Sequence, residues 1–363
     1  MDKTGAAGPS QFARAEFDAT QDSLPRYREL TADLCDVKVL GSPDAFRVKS
    51  SIFNMGAAVL LDADASALAY SRSNGHVARG GIDHFQLTMP LAGEMEYTAG
   101  RRAVTVRPGD ILVLDMVEAN HTRILPPGDG ELSRALTFML PRPLLAPLLA
   151  APDSAQGSVI SRETAYGGLM RDQLLAVRRY APQLTLAESR GAVAAVAELV
   201  AAAIGRAPGA EETAARAVGQ AVLVSIKAYI ERHLTSELLS VDHLCRRFGL
   251  SRAALYREFE REGGAVGYIQ RRRLLRAFRM LIAPDSRPRI IDIALESGFS
   301  TDATFIRAFR QLFGLTPGEV RAFARRRRQD GDRVPGDSSW PPASDADVIR
   351  WLKRLGATSR VPV

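Results

Sequence analysis

The side chains of this 363-residue chain that could do chemistry fall into three sets. His76, His84 and His121 could ligate a metal, but no His-x-His pair with a downstream Glu accompanies them. A set of two histidines and one carboxylate therefore does not assemble, and the expectation is no metal, no cofactor and no catalytic residue. Cys35 and Cys245 are the only cysteines, too few for a disulfide framework or a cysteine-based zinc site, which fits a reducing compartment. Arginine is the third set. Between Arg216 and Arg328 lie 22 Lys and Arg against 11 Asp and Glu, a net of +11 that leaves −4 for the remainder. A basic module on a mildly acidic body points to a polyanion partner for the module alone.

What would position these arginines is an internal repeat. Leu244-Cys245-Arg246-Arg247-Phe248-Gly249-Leu250-Ser251 aligns with Ile293-Ala294-Leu295-Glu296-Ser297-Gly298-Phe299-Ser300. Leu255, Arg257 and Phe259 then match Phe305, Arg307 and Phe309, after one extra residue in the second copy. Each copy meets the demands of a helix-turn-helix. A small residue (Cys245, Ala294) lets two helices approach, and a glycine (Gly249, Gly298) can adopt the left-handed backbone of a sharp turn. Ser251, and Ser300 or Thr301, can cap the second helix. Between the copies, Ala265–Ile282 reads as an amphipathic helix about 27 Å long, with Ile269, Leu274, Phe278 and Leu281 on its apolar side. Arg272, Arg276 and Arg279 are expected on the opposite, polar side. Thr316-Pro317 with Glu319 spells a capping box that opens a closing helix.

The stretch Leu239–Arg321 resembles the DNA-binding domain of AraC/XylS-type bacterial transcription regulators. The matching residues are Gly249-Leu250-Ser251, Leu255-Tyr256-Arg257-Glu258-Phe259, Arg273-Leu274 with Ala277, Ile293-Ala294, Gly298-Phe299, Phe305 with Arg307 and Phe309, Phe313-Gly314 and Thr316-Pro317. The resemblance implies that the second helix of each motif enters the major groove of double-stranded DNA. It places Ala253, Tyr256 and Arg257 toward bases in the first motif, with Arg252 near the backbone. In the second motif it places Asp302, Ala303 and Arg307 there, with Thr304 beside them. The chemistry agrees for the arginines, whose planar fork can bridge guanine O6 and N7.

Ahead of the basic module, about 110 residues from Cys35 read as eight or nine short strands broken by turns such as Gly41-Ser42-Pro43-Asp44 and Pro108-Gly109-Asp110. The pattern predicts a jelly-roll or small barrel. Leu91-Ala92-Gly93, the Gly100-Arg101-Arg102 turn and Arg107-Pro108-Gly109-Asp110 resemble the cupin-like effector domain that precedes the DNA reader in some members of the family. His121 stands where metal-binding cupins often place a ligand, and it is a further candidate for the effector pocket. His84, Gln86 and Thr88 share one face of an alternating strand and, if inward, could orient a small effector; Phe85, Leu87 and Met89 share the other. Both faces are equally legible as the inner one.

The expected organisation is a mobile tail and short helix (1–34), an all-β cupin-like effector domain with accessory helices (35–165), and a helical linker or dimerisation region (166–210). An all-α domain with two helix-turn-helix motifs follows (211–328), then a Pro- and Ser-rich tail with one short helix (329–363). The stripe Val193, Val196, Val200 and Ile204 suits either packing on its own domain or a dimer seam. The N-terminus lacks the apolar run of a secretory signal, and the longest apolar stretch is too short to span a bilayer. The expectation is a cytoplasmic, dimeric, non-enzymatic activator whose partners are DNA, a small-molecule effector and RNA polymerase, with no membrane. The rivals are a cupin-type metalloenzyme with a DNA-binding appendage and an effector-independent DNA-binding protein.

Overall fold

The computed structural model describes residues 11–17, 20, 22–56, 58–100, 102–149, 152, 155–204, 223, 225–236, 238–283 and 288–332. Its first strand, β1 (Gln11–Phe17), pairs antiparallel with β3 (Val48–Asn54). This corrects the expectation of a tail without period over that stretch: Ala15 and Phe17 alternate with Arg14 and Glu16, and both apolar residues are buried. Helix α1 (Ser23–Thr31) and β2 (Asp36–Val39) precede β3, and β4 (Val59–Ala65), β5 (Leu68–Arg72) and α2 (Asn74–Gly80) follow it. Next come β6 (His84–Ala92), β7 (Glu94–Ala99), β8 (Arg102–Val106), β9 (Ile111–Asp115), β10 (Asn120–Leu125) and β11 (Ser133–Pro141). A one-turn α3 (Arg142–Leu145) and β12 (Ser158–Ile160) end the β-rich part.

The strands form two antiparallel sheets rather than one closed barrel. One runs β1-β3-β4-β11-β6-β9-β12, the other β2-β5-β10-β7-β8. Both faces of β6 are covered. Phe85, Leu87 and Met89 are fully buried in a core shared with helices α4 (Ala165–Tyr180) and α5 (Leu186–Ile204), whereas His84, Gln86 and Thr88 face a cavity on the other side of the sheet. Val193, Val196 and Val200 of α5 join that same core, with Ile204 packed at its margin. Each such side chain contributes about 1.5–3 kcal/mol on burial. Val193, Val196 and Val200 therefore pack on their own unit. The expected boundary near Ala207 and the first residues of the basic module lie outside the described residues, as does the tail beyond Asp332.

The helical part comprises α6 (residues 225–232), α7 (Val241–Phe248), α8 (Arg252–Glu258), α9 (Ala265–Ile282), α10 (Ile290–Glu296), α11 (Asp302–Phe313) and α12 (Pro317–Asp332). It has two cores joined by α9. Ala265, Tyr268 and Ile269 from its first half meet Leu244, Leu255 and Phe259 of the first motif. Leu274, Phe278 and Leu281 from its second half meet Ile293, Phe305, Phe309 and Phe313 of the second. One continuous helix thus fixes the two motifs relative to each other.

Candidate nucleic-acid interface and effector cavity

Helices α7 and α8 meet at Gly249, whose φ of 65° is the left-handed conformation that lets α7 stop and the chain reverse. Ser251 Oγ accepts the Ala254 amide at 3.1 Å and starts α8. The second motif repeats the device. Thr301, rather than Ser300, caps α11, its Oγ1 accepting the Thr304 amide at 3.3 Å. Gly298 has φ 82° and a second constraint: a Cβ there would lie 2.7 Å from Nε of Arg273. Arg273 in turn donates from Nε to the Leu234 carbonyl at 2.9 Å and from Nη2 to that of Ser236 at 3.3 Å. It ties the second turn to the first core. The Thr316–Glu319 capping box also forms, the Thr316 amide donating to Glu319 at 2.7 Å and the Glu319 amide to Thr316 Oγ1 at 3.3 Å.

The exposed sides of α8 and α11 carry all eight residues singled out from the sequence. Arg252, Ala253, Tyr256 and Arg257 are exposed on α8, and Asp302, Ala303, Thr304 and Arg307 on α11. Tyr256 keeps 64% of its surface in solvent, so its ring and hydroxyl are both accessible there. Arg257 and Arg307 form no ion pair among the described residues, so both guanidinium forks are available. Arg252 is held by Asp242 through two hydrogen bonds of 2.9 Å at the edge of the motif, and Asp302 accepts the Ala303 amide at 2.7 Å.

The connector arginines separate, contrary to the reading that gave all three one polar side. Arg276 is exposed. Arg272 is 2% exposed and reaches Glu231 at 2.7 Å and Glu118 at 3.9 Å; Arg279 is largely buried, 3.9 Å from Asp83. The apolar arc of α9 is wider than its sequence pattern suggested because three partners surround it: both motif cores and the β-rich part. Burial pushes the Glu231 carboxyl up to about 7 even beside Arg279 and Arg142, and it lowers the Arg272 guanidinium. These are structural arginines.

The chain's two parts meet at the turn after β9. Asp115 is fully buried, and Arg142 bonds both Asp115 and Asp83. Burial raises the Asp115 carboxyl, but Arg142 and Arg279 outweigh it and hold it below the ordinary range. Val117 packs, with Val77 and Ala78 of α2, into the core of the second motif, and Glu118 pairs with Arg271 at 2.9 Å.

Behind that turn lies a cavity of about 280 Å³ between the two sheets. His84, Gln86 and Thr88 line it. His84 is buried, which drives its pKa down to about 3, helped by Arg72 and Arg142 and opposed by Asp115; the ring is neutral. Its Nδ1 has no hydrogen-bond partner. Gln86 Nε2 donates to Thr88 Oγ1 at 3.1 Å, and Thr88 meets Thr137 at 3.3 Å. His121 is a correction: it sits on β10 but does not line the cavity, and Nδ1 is 2.8 Å from Ser71 Oγ. Its neighbours Asn120, Thr122 and Ile124 face inward instead, because alternation puts His121 on the other side of the strand. His76 belongs to a capping box with Ser73 at the start of α2. Among the described residues no group of three or more His, Cys, Asp or Glu gathers as a metal site. Arg72, absent from every sequence-level motif, is the cavity residue that sequence reasoning missed; an arginine ending a strand carries no local signal.

Comparison with known proteins agrees with this division. A helix-turn-helix domain model matches residues 244–322, and an AraC-binding-like domain model matches residues 35–205. The probable transcription factor PqrA of Proteus vulgaris is 37% identical over 103 residues, 28% of this chain and 83% of that one. The chain belongs to the AraC/XylS-type transcription regulators. It is an AraC-family DNA-binding transcription regulator, with the AraC-binding-like domain N-terminal to the reader. The F1 operon positive regulatory protein of Yersinia pestis is 36% identical over 104 residues, 28% of this chain and 34% of that protein. The AraC-like transcriptional activator CuxR shares the fold over 79% of this chain and 99% of its own, with a TM-score of 0.50 at 23% identity. No helix among the described residues is long and apolar enough to cross a membrane.

Proposed function

We propose that this AraC-type regulator is an effector-responsive activator that reads two successive major grooves with α8 and α11. In this reading Arg257 and Arg307 contact bases, with Ala253, Tyr256, Asp302 and Ala303 facing the groove and Arg252 and Thr304 nearer the backbone. The protein works in the cytoplasm as a homodimer, recruits RNA polymerase, and carries no enzymatic activity of its own. A small molecule held between the sheets of the β-rich domain sets the output.

One observation supports the effector-responsive part most directly. Met116 lines the cavity, and the next residue, Val117, is buried in the core of the second motif. A molecule that moves the cavity wall moves a residue packed in that core. An effector shifts activity only by binding one arrangement better than the other, and this turn supplies a place where the two arrangements can differ.

Footprinting of the full chain on the DNA upstream of its own gene tests the reading. The expected pattern is two protected patches about one helical turn apart, whose strength changes when a metabolite extract is added. A single patch, or protection indifferent to every extract, would contradict it.

A further inference from the structure

Arg72 and His84 lie together in the cavity wall. Arg72 is buried there, its Nε and Nη2 donating to the Met116 carbonyl at 3.0 and 2.9 Å and its Nη1 to that of Leu34 at the short end of hydrogen-bond lengths. His84 adjoins it, since its carbonyl accepts the Met116 amide at 3.1 Å. Asn120 is the strand partner of Arg72 in the β5–β10 register. The rest of the wall mixes apolar residues, Ala15, Ile52, Ala63, Ala135 and Met139 among them, with hydroxyls such as Ser50, Ser133 and Thr137.

Arg72 differs from the other buried arginines of the molecule. Arg142 and Arg272 each contact carboxylates, whereas no carboxylate lies within ion-pair distance of Arg72 among the described residues. A guanidinium has five N–H donors. Three are spent on carbonyls, leaving one N–H on each terminal nitrogen to donate to an anionic group. His84 adds a ring nitrogen, Nδ1, that is buried and has no partner. A buried cation with no carboxylate within ion-pair distance among the described residues, only the more distant charge of Asp115, and a buried ring nitrogen that donates in its Nδ1–H tautomer are both satisfied by one anionic group.

We infer that the cavity takes a compact organic carboxylate with an apolar body, its charged end meeting Arg72 and His84 and its hydrocarbon or aromatic part lying along the small apolar residues opposite. The inference rests on the reading of this domain as effector-binding and specifies the chemistry of the effector. A volume near 280 Å³ is at the small end for ligand pockets and excludes large anions. Because Arg72 also holds the carbonyl of Met116, a carboxylate that draws on the guanidinium acts directly on the turn that carries Val117 into the DNA-binding part.

The test uses the full chain and two probe pairs: 3-phenylpropanoate with 3-phenylpropanamide, and octanoate with octanamide. Calorimetric titration and melting temperature are the readouts. The acids are expected to bind and raise the melting temperature, and their amides to bind at least about tenfold more weakly. Arg72→Gln is expected to cost the acids at least tenfold in affinity and to leave the amides unchanged. His84→Leu, which spares the Arg72 contacts, is expected to cost them at least threefold. The comparison of acid with amide on the unaltered protein stands even if Arg72→Gln does not fold. Equal binding of acid and amide would overturn the carboxylate assignment and leave the effector reading intact. So would acid binding that neither substitution weakens. Failure of all four probes to bind at millimolar concentration would overturn both.

Discussion

Arg257 and Arg307 occupy equivalent places on two exposed helices, and neither is engaged by a carboxylate among the described residues. An arginine that reads a base discriminates; one that neutralises a phosphate does not. Arg257→Ala and Arg307→Ala are each expected to relax preference at one base pair and to cost roughly 1–3 kcal/mol, at positions about one helical turn apart. Selection of randomised duplexes by the full chain measures this, and two variants with unaltered base preference would remove these arginines from the groove. His84 supports a second expectation. Its pKa in the fold, about 3, lies below the ordinary 6.5, so beneath pH 6.5 the unfolded chain takes up a proton that the folded one does not. Its contribution to stability is complete above pH 6.5 and is lost as pH falls toward 3. Melting temperatures at a series of pH values in that window are expected to fall less steeply in His84→Leu than in the unaltered chain.

Helix α9 is where element-scale reasoning has most to separate. It serves two motif cores and the contact with the β-rich part, so its arginines have different fates according to which neighbour they meet. Arg272→Ala removes one partner of a buried pair and leaves Glu231 in an enclosed site. A loss of about 3–5 kcal/mol in stability is expected, seen as a lower melting temperature in the full chain. Arg276→Ala, at an exposed position, is expected to leave the melting temperature alone. It would at most weaken all DNA sequences alike and reduce the salt slope by about one. A melting temperature equally low in both variants would mean that Arg276 too is structural.

Across the whole molecule, both motifs and the closing helix α12 precede the segment that contains Trp340 and Trp351. Among the described residues, the cores of both motifs are built from residues up to Val320. Removal of residues 333–363 is therefore expected to leave operator affinity within a few-fold, as measured by titration of labelled duplex; a hundredfold loss would assign the segment to the reader or to a dimer. The three N-terminal histidines are in three separate places, one capping α2, one in the cavity and one against Ser71. Elemental analysis of protein purified without chelator is expected to find no stoichiometric iron, zinc or manganese. Metal that disappears in His121→Ala would restore the metalloenzyme alternative.

The two helix-turn-helix motifs, their caps and the length of α9 were readable from sequence because their causes are local. A left-handed turn demands glycine, a first turn demands a capping oxygen, and apolar spacing of 3.6 residues survives in any surroundings. The eight positions proposed for DNA contact came from family resemblance, and all eight are exposed on α8 and α11. The β-rich part was legible as strands, but not as to which side of β6 was inner, since its two sides differ only in what packs on them. Helices α4 and α5, distant in sequence, cover Phe85, Leu87 and Met89 and so turn His84 toward the cavity. The same non-local packing made β1 a strand, buried Arg272 and set Arg72 beside His84, with no carboxylate within ion-pair distance among the described residues. Burial and pairing depend on segments brought together only in the folded chain, and no window of sequence contains both partners.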